Sequence, residues 1–148
     1  MESPPEPRPI DALLTAYRRR HRHRTNEIIH CVCVPCIVFA VLGLAWTMHP
    51  LATVALSLAA LRHYFPLSRT LAIGMSIMLG AMLILLLALP PATILPLSLA
   101  ILVLAWSGQF IGHMIEGEPP SAFGNPRFFL IGPLFVLSSL CRRFELDY

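Results

Sequence analysis

Apolar positions in this chain come in long runs separated by short polar or proline-marked breaks. That pattern differs from the alternating or three-to-four spacing of elements with one face in water. Residues 10–23 are the exception: Ile10, Leu13, Leu14 and Tyr17 share one helical face, and Arg18 to Arg20 begin a polar one. A helix of this kind lies in a membrane interface. From Glu27 to Thr47 the chain is apolar over a full span's length, about 20 residues being needed. Thr25 offers an N-cap to that helix, Pro35 a kink, and Trp46 with His49-Pro50 a far interface.

Residues 50–65 form a shorter run of marginal length that ends at Arg62, His63 and Tyr64. Leu67 to Leu89 reads as a third span, stopped by Pro90-Pro91, and Ala92 to Ile115 as a fourth, with Pro96 in its first turns where proline is tolerated. Glu116 to Asn125 is a polar loop. The last run, Phe128 to Leu140, is broken by Gly132-Pro133 and is short for a crossing, which suggests an interfacial or re-entrant segment. The fold expected is all-α: a polytopic membrane bundle of about four transmembrane helices, an amphipathic N-terminal helix and a short C-terminal apolar helix. It would form one integral membrane domain over residues 1–148, with 1–9 as a flexible tail.

Composition supports lipid as the solvent. Apolar residues make up 56% of the chain and charged residues 13%, against roughly a quarter charged in soluble domains. Mean hydropathy is +0.70. Met1 to Pro9 is rich in proline and acid, and the basic cluster from Arg18 to Arg24 leads into a full-length run, so the first hydrophobic segment reads as a retained span, not as a secretory signal. All eleven cationic residues are arginine and lie outside the apolar runs. They suit topology and anionic headgroups, and without an interleaved aromatic platform they argue against nucleic acid. Cys31, Cys33, Cys36 and Cys141 form no disulfide framework: three sit in one apolar helix pointing in different directions, as small inert core residues do.

Threading four spans gathers the candidate chemistry at one face. The near face, where the first span begins, collects His21, His23, His30, His63, His113 and Glu116, and His49 alone falls on the far side. Most arginines share the near face, with Arg142 and Arg143 left for the opposite one; the positive-inside rule makes the near face cytoplasmic, in a bacterial inner membrane or the endoplasmic reticulum.

On the fourth span Trp106, Gln109, His113 and Glu116 follow steps of three, four and three along one stripe. Ionisable groups at membrane depth face a protein interior or a watery cavity. Asn26 and His30 share a face of the first span. His21, nine residues before His30, would point away on one straight helix, so convergence needs a break near Thr25. Imidazoles with a carboxylate suit iron, manganese, zinc or copper, and two histidines with one carboxylate is the arrangement of non-haem Fe(II) oxygenases. His30, His113 and Glu116 could supply it, with His21 or His63 as a further ligand; spacing alone does not select iron over zinc. His23 reads as part of a solvated basic cluster.

Two blocks carry a family resemblance: Y-x3-H-x4-N-x3-H-x4-P from Tyr17 to Pro35, and GQFIGH followed by E-x3-P and FGNP from Gly108 to Pro126. The sequence resembles the small membrane proteins typified by the fungal 2-hydroxy fatty acid dioxygenase of phytosphingosine degradation. The resemblance implies Fe(II)-dependent alpha-oxidation, in which a 2-hydroxy fatty acid and O2 give the acid one carbon shorter and CO2. It maps metal ligands onto His21, His30 and His113. Asn26, Gln109 and Glu116 would orient ligands or a bound water, Arg24 or Arg127 would steer the carboxylate, and the acyl tail would lie between the spans. The competing reading is a non-catalytic membrane protein whose histidines bind haem or brace the helices. A transporter is disfavoured, because the chain shows no inverted repeat.

Overall fold

In lipid the backbone must satisfy its own hydrogen bonds, so long apolar runs become helices. The computed structural model describes residues 9–19, 21–120 and 127–145, with Arg127 described for its backbone alone. The tail before Pro9, Arg20, the FGNP motif at 123–126, the end of the FELDY segment and the Arg127 side chain lie outside the described residues. Among the described residues there are six helices: α1 Pro9–Arg18, α2 Arg24–Met48, α3 Pro50–Tyr64, α4 Arg69–Ala88, α5 Pro91–Glu116 and α6 Arg127–Arg143.

Three of them, α2, α4 and α5, are long and apolar enough to cross a membrane. Their outer faces suit lipid: Ile77, Val103 and Leu104 are each more than 60% exposed, which water would penalise and lipid would not. Helix α3 has 15 residues, about 22 Å at 1.5 Å per residue. It runs back along α2, to which the Thr53 hydroxyl ties it by donating to the Leu42 carbonyl at 3.1 Å.

The pairing of α2 with α5 builds the centre of the fold. Gly43 faces Ser98 at one end of the pair, and Gly108 and Gly112 face Cys33 and Asn26 at the other, so the helices are antiparallel. A Cβ on Gly108 would lie 2.7 Å from the Cys33 sulfur, and one on Gly112 would collide with the Asn26 amide oxygen. Glycines four apart thus let the two backbones approach, as small residues do in membrane interfaces.

Helix α1 ends at Arg18 and not at 23, because no apolar residue beyond Tyr17 extends its buried stripe of Ile10, Leu14 and Tyr17. That stripe packs against α6, whose Ile131, Leu134 and Phe135 are buried in the same core as Leu71 and Met75 of α4. The N-cap of α2 is His23, not Thr25: its ring Nδ1 accepts the Thr25 N–H at 3.2 Å.

Helix α6 is continuous through Gly132 and Pro133. Its start packs Phe129 on Trp106 of α5, with ring centroids 6.1 Å apart. Its end places Arg142 3.8 Å from the Glu27 carboxylate in the first turn of α2. The helix therefore leans through the near half of the bundle and finishes at the near face. This corrects the expectation that Arg142 and Arg143 lie opposite.

Candidate metal centre

His21 reaches the interior because the chain breaks between α1 and α2. Its N–H closes the end of α1 on the Arg18 carbonyl at 3.0 Å. The Tyr17 carbonyl is among the last of the helix and has no helical partner to serve; the His21 Nδ1–H donates to it at 2.8 Å. The His21 ring stacks on the Tyr17 ring with centroids 4.2 Å apart and planes 2° from parallel. His30 uses the same device within α2: its Nδ1–H donates to the Asn26 carbonyl at 2.9 Å.

Those two bonds fix the chemistry of the opposite nitrogens. A carbonyl oxygen can only accept, so each Nδ1 carries the hydrogen and each neutral ring offers a bare Nε2. The two Nε2 atoms lie 3.1 Å apart. Two lone pairs at that distance repel unless a proton or a cation stands between them. Ligand nitrogens about 2.0–2.1 Å from one ion are separated by about 3 Å when adjacent, so the spacing suits shared coordination.

His113 completes the group from the last turn of α5, which ends at Gly117 in the left-handed region (φ 77°), with the Gly117 N–H on the His113 carbonyl at 3.0 Å. Its ring centroid is 4.9 Å from that of His30 and 5.1 Å from that of His21. Its Nδ1 is buried with no hydrogen-bond partner. One nitrogen from each of His21, His30 and His113 lies within 4.8 Å of the others, and all three residues are buried. A fixed pair of donors with a third buried imidazole in reach is what a metal ion would satisfy.

Glu116 is placed differently. Its carboxylate accepts the N–H groups of Arg22 at 2.8 Å and His23 at 2.9 Å, and the Asn26 side-chain amide at 3.1 Å. It thereby holds the loop that carries His21 and complements the positive end of α2. Asn26 is fully buried: its amide bonds Glu116, its carbonyl holds His30, and its Oδ1 faces the gap left by Gly112. His63 is exposed beside Tyr64, and His23 caps a helix; neither joins the cluster. Arg24 faces another groove, between α2 and α6.

A cavity of about 80 Å³ opens beside the imidazoles, lined by His30, His113 and Gln109 and by apolar walls that include Val34, Trp106 and Phe129. Tyr17 also lines it, and burial pushes the Tyr17 phenol well above its ordinary pKa, so it stays a donor. The sequence reading did not assign Tyr17 this place. The signal was present: Tyr17 stands to His21 as Asn26 stands to His30, four residues upstream. Phe135, 5.8 Å from the His21 ring and 4.8 Å from Tyr17, left no such trace.

The arrangement agrees with what comparison of the whole chain finds. No curated protein and no solved structure matches it. A family model described as "Mpo1-like: 2-hydroxy-palmitic acid dioxygenase Mpo1-like" matches residues 8–144, both histidine-bearing blocks included. On that match, which covers nearly the full length, the chain belongs to the Mpo1-like family.

Proposed function

We propose that this protein is an Fe(II)-dependent dioxygenase of 2-hydroxy fatty acids, with His21, His30 and His113 as the iron ligands. The observation that carries the reading is the convergence of three buried imidazoles, two with their tautomers fixed, beside an apolar cavity. The reaction balances as R–CH(OH)–COOH plus O2 giving R–COOH, CO2 and H2O. Bound iron would supply O2 activation and a Lewis acid for the substrate's carboxylate and 2-hydroxyl.

The protein's own part is positioning and exclusion. Tyr17 and Asn26 hold two imidazoles with their lone pairs aimed at one point. Tyr17 and Gln109 line the cavity, with the Tyr17 hydroxyl beside its Gly132 wall, and either side chain could donate to a substrate oxygen. Val34, Val38, Trp106 and Phe129 keep water from the reacting end. At about 80 Å³ the cavity suits a polar head and not a long chain; drug-sized ligands occupy about 300–1,000 Å³. The acyl tail would therefore leave between α2, α5 and α6 towards lipid. A haem sandwiched between these histidines is disfavoured, because nitrogens 3.1 Å apart leave no slot for a porphyrin.

Four crossings, with the metal site at the cytoplasmic face, are part of the same proposal. The end of α6 lies beside the start of α2 on the near face, which favours an even number of crossings; α3 would be the fourth. Arg142 and Arg143 join the other arginines on that face, as the positive-inside rule prefers.

The test is metal analysis of detergent-purified protein, wild type beside His30→Ala and His113→Ala, followed by O2 uptake with a 2-hydroxy fatty acid. Stoichiometric non-haem iron lost in both variants, with substrate-dependent O2 consumption, is expected. Folded protein that takes up no iron on reconstitution, and whose variants behave like wild type, would sink the reading in favour of structural histidines.

A further inference from the structure

A second, larger opening lies on another flank of α2 and touches none of the residues discussed above as ligands. Arg24, Ile28 and Val32 form one wall, and Leu140, Arg142 and Arg143 of the last turn of α6 form the other; the groove measures about 490 Å³. Positions 24, 28 and 32 step by four along one helical face. An arginine thus stands at the mouth of the groove, with two β-branched side chains below it, reaching about 12 Å deeper at 1.5 Å per residue. Ile28 and Val32 are more than half exposed.

Charge at the rim is one-sided. Three guanidinium groups share it with a single carboxylate, Glu27, which already accepts from the Ser139 hydroxyl at 3.1 Å and lies 3.8 Å from Arg142. Arg142 is held further by donating to Ser139 at 3.1 Å. Among the described residues Arg24 and Arg143 have no carboxylate partner. Both border the opening beside the start of α2, where its apolar run begins.

We propose that this groove seats one anionic phospholipid of the surrounding bilayer. Arg24 and Arg143 hold its phosphate, and an acyl chain follows Ile28, Val32 and Leu140. A guanidinium fork matches phosphate oxygens in two parallel hydrogen bonds, and the apolar strip continues in the direction a bilayer chain takes. A lipid so placed bridges α2 and α6, two of the helices that line the cavity beside His30. The inference does not depend on the dioxygenase reading.

The experiment is native mass spectrometry of full-length protein released from nanodiscs of equal phosphatidylglycerol and phosphatidylcholine. Wild type is expected to retain one phosphatidylglycerol per chain, enriched about fivefold or more over phosphatidylcholine. The enrichment should vanish in Arg24→Gln/Arg143→Gln. It should also vanish in Val32→Trp, which fills the floor and leaves the charges, while Arg62→Gln/Arg69→Gln retains it. Retention of the two lipids in bilayer proportion by wild type overturns the proposal without any variant. So does enrichment that survives in both groove variants, an equal loss in the Arg62/Arg69 control, or a retained amphiphile that proves to be a fatty acid.

Discussion

Glu116 accepts the backbone N–H of His23 at 2.9 Å, so a residue at the end of α5 holds the first turn of α2 by its main chain. Together with the Arg22 N–H and the Asn26 amide, this bond sets the height of the loop on which His21 rides. Glu116→Ala should lower stability by about 1–3 kcal/mol, the usual scale for losing charge-assisted hydrogen bonds, and should weaken metal binding without abolishing it. Glu116→Gln keeps an acceptor oxygen and should restore most of the metal content. Metal lost equally in both variants, with the fold intact, would make the carboxylate a ligand instead.

His21 and His30 face each other through Nε2 at 3.1 Å. Truncating either to alanine removes a donor and leaves the other nitrogen unmatched. Metal affinity should fall by more than the about 10–100-fold typical of losing a ligand's supporting partner. Competition with a chelator of known affinity measures it, and an unchanged constant in His21→Ala would remove that residue from the ligand set.

Tyr17 offers two separable contributions: a carbonyl and ring that hold His21, and a hydroxyl on the cavity. Tyr17→Phe preserves the first and deletes the second. Metal content should stay at the wild-type level while kcat/KM drops about tenfold, the equivalent of ~1.4 kcal/mol. A fall in metal content with kcat/KM per metal unchanged would assign the hydroxyl to structure.

Gly112→Ala places a methyl group against the Asn26 amide oxygen. Asn26 is fully buried and bonded on two sides, so it has little room to yield. A cost of about 1–3 kcal/mol is expected from this overpacking, seen as a lower melting temperature in detergent. Gly80, with open space around its Cβ position, serves as control: Gly80→Ala should be neutral or slightly stabilising, as it replaces glycine within α4.

Val34→Trp fills the cavity one helical turn below His30. The variant should keep its metal and lose turnover with long-chain substrates, while a short-chain 2-hydroxy acid retains some activity. Equal loss with both chain lengths would argue against a tail path past Val34.

Much of this was legible in the sequence. Spans declare themselves because lipid tolerates no exposed backbone, and α2, α4 and α5 fall within a few residues of their apolar runs. His30, Gln109 and His113 were readable by helical periodicity. What periodicity could not show was the exact break after α1: His21 points inward only because α1 stops at Arg18 and α2 restarts after His23. Glu116 was ambiguous for a related reason. A carboxylate three residues after a histidine reads alike as ligand or cap, and its hydrogen bonds to the amides at the start of α2 join residues more than ninety positions apart. The course of α6 was hidden too, since an apolar run with a Gly-Pro pair suits a crossing as well as a lean; the Arg142–Glu27 pairing, which settles it, joins residues far apart in the chain.

The spacing of the three imidazoles along the chain bears on biogenesis. His21 precedes the first of the three helices long enough to cross, and His113 stands in the last of them. Until α5 has been inserted and its end has closed on the Arg22–His23 amides, only two nitrogens are in place. Any metal held by all three imidazoles would therefore be taken up after α5 has inserted, and a chain arrested before His113 would have its earlier helices formed and the cluster incomplete.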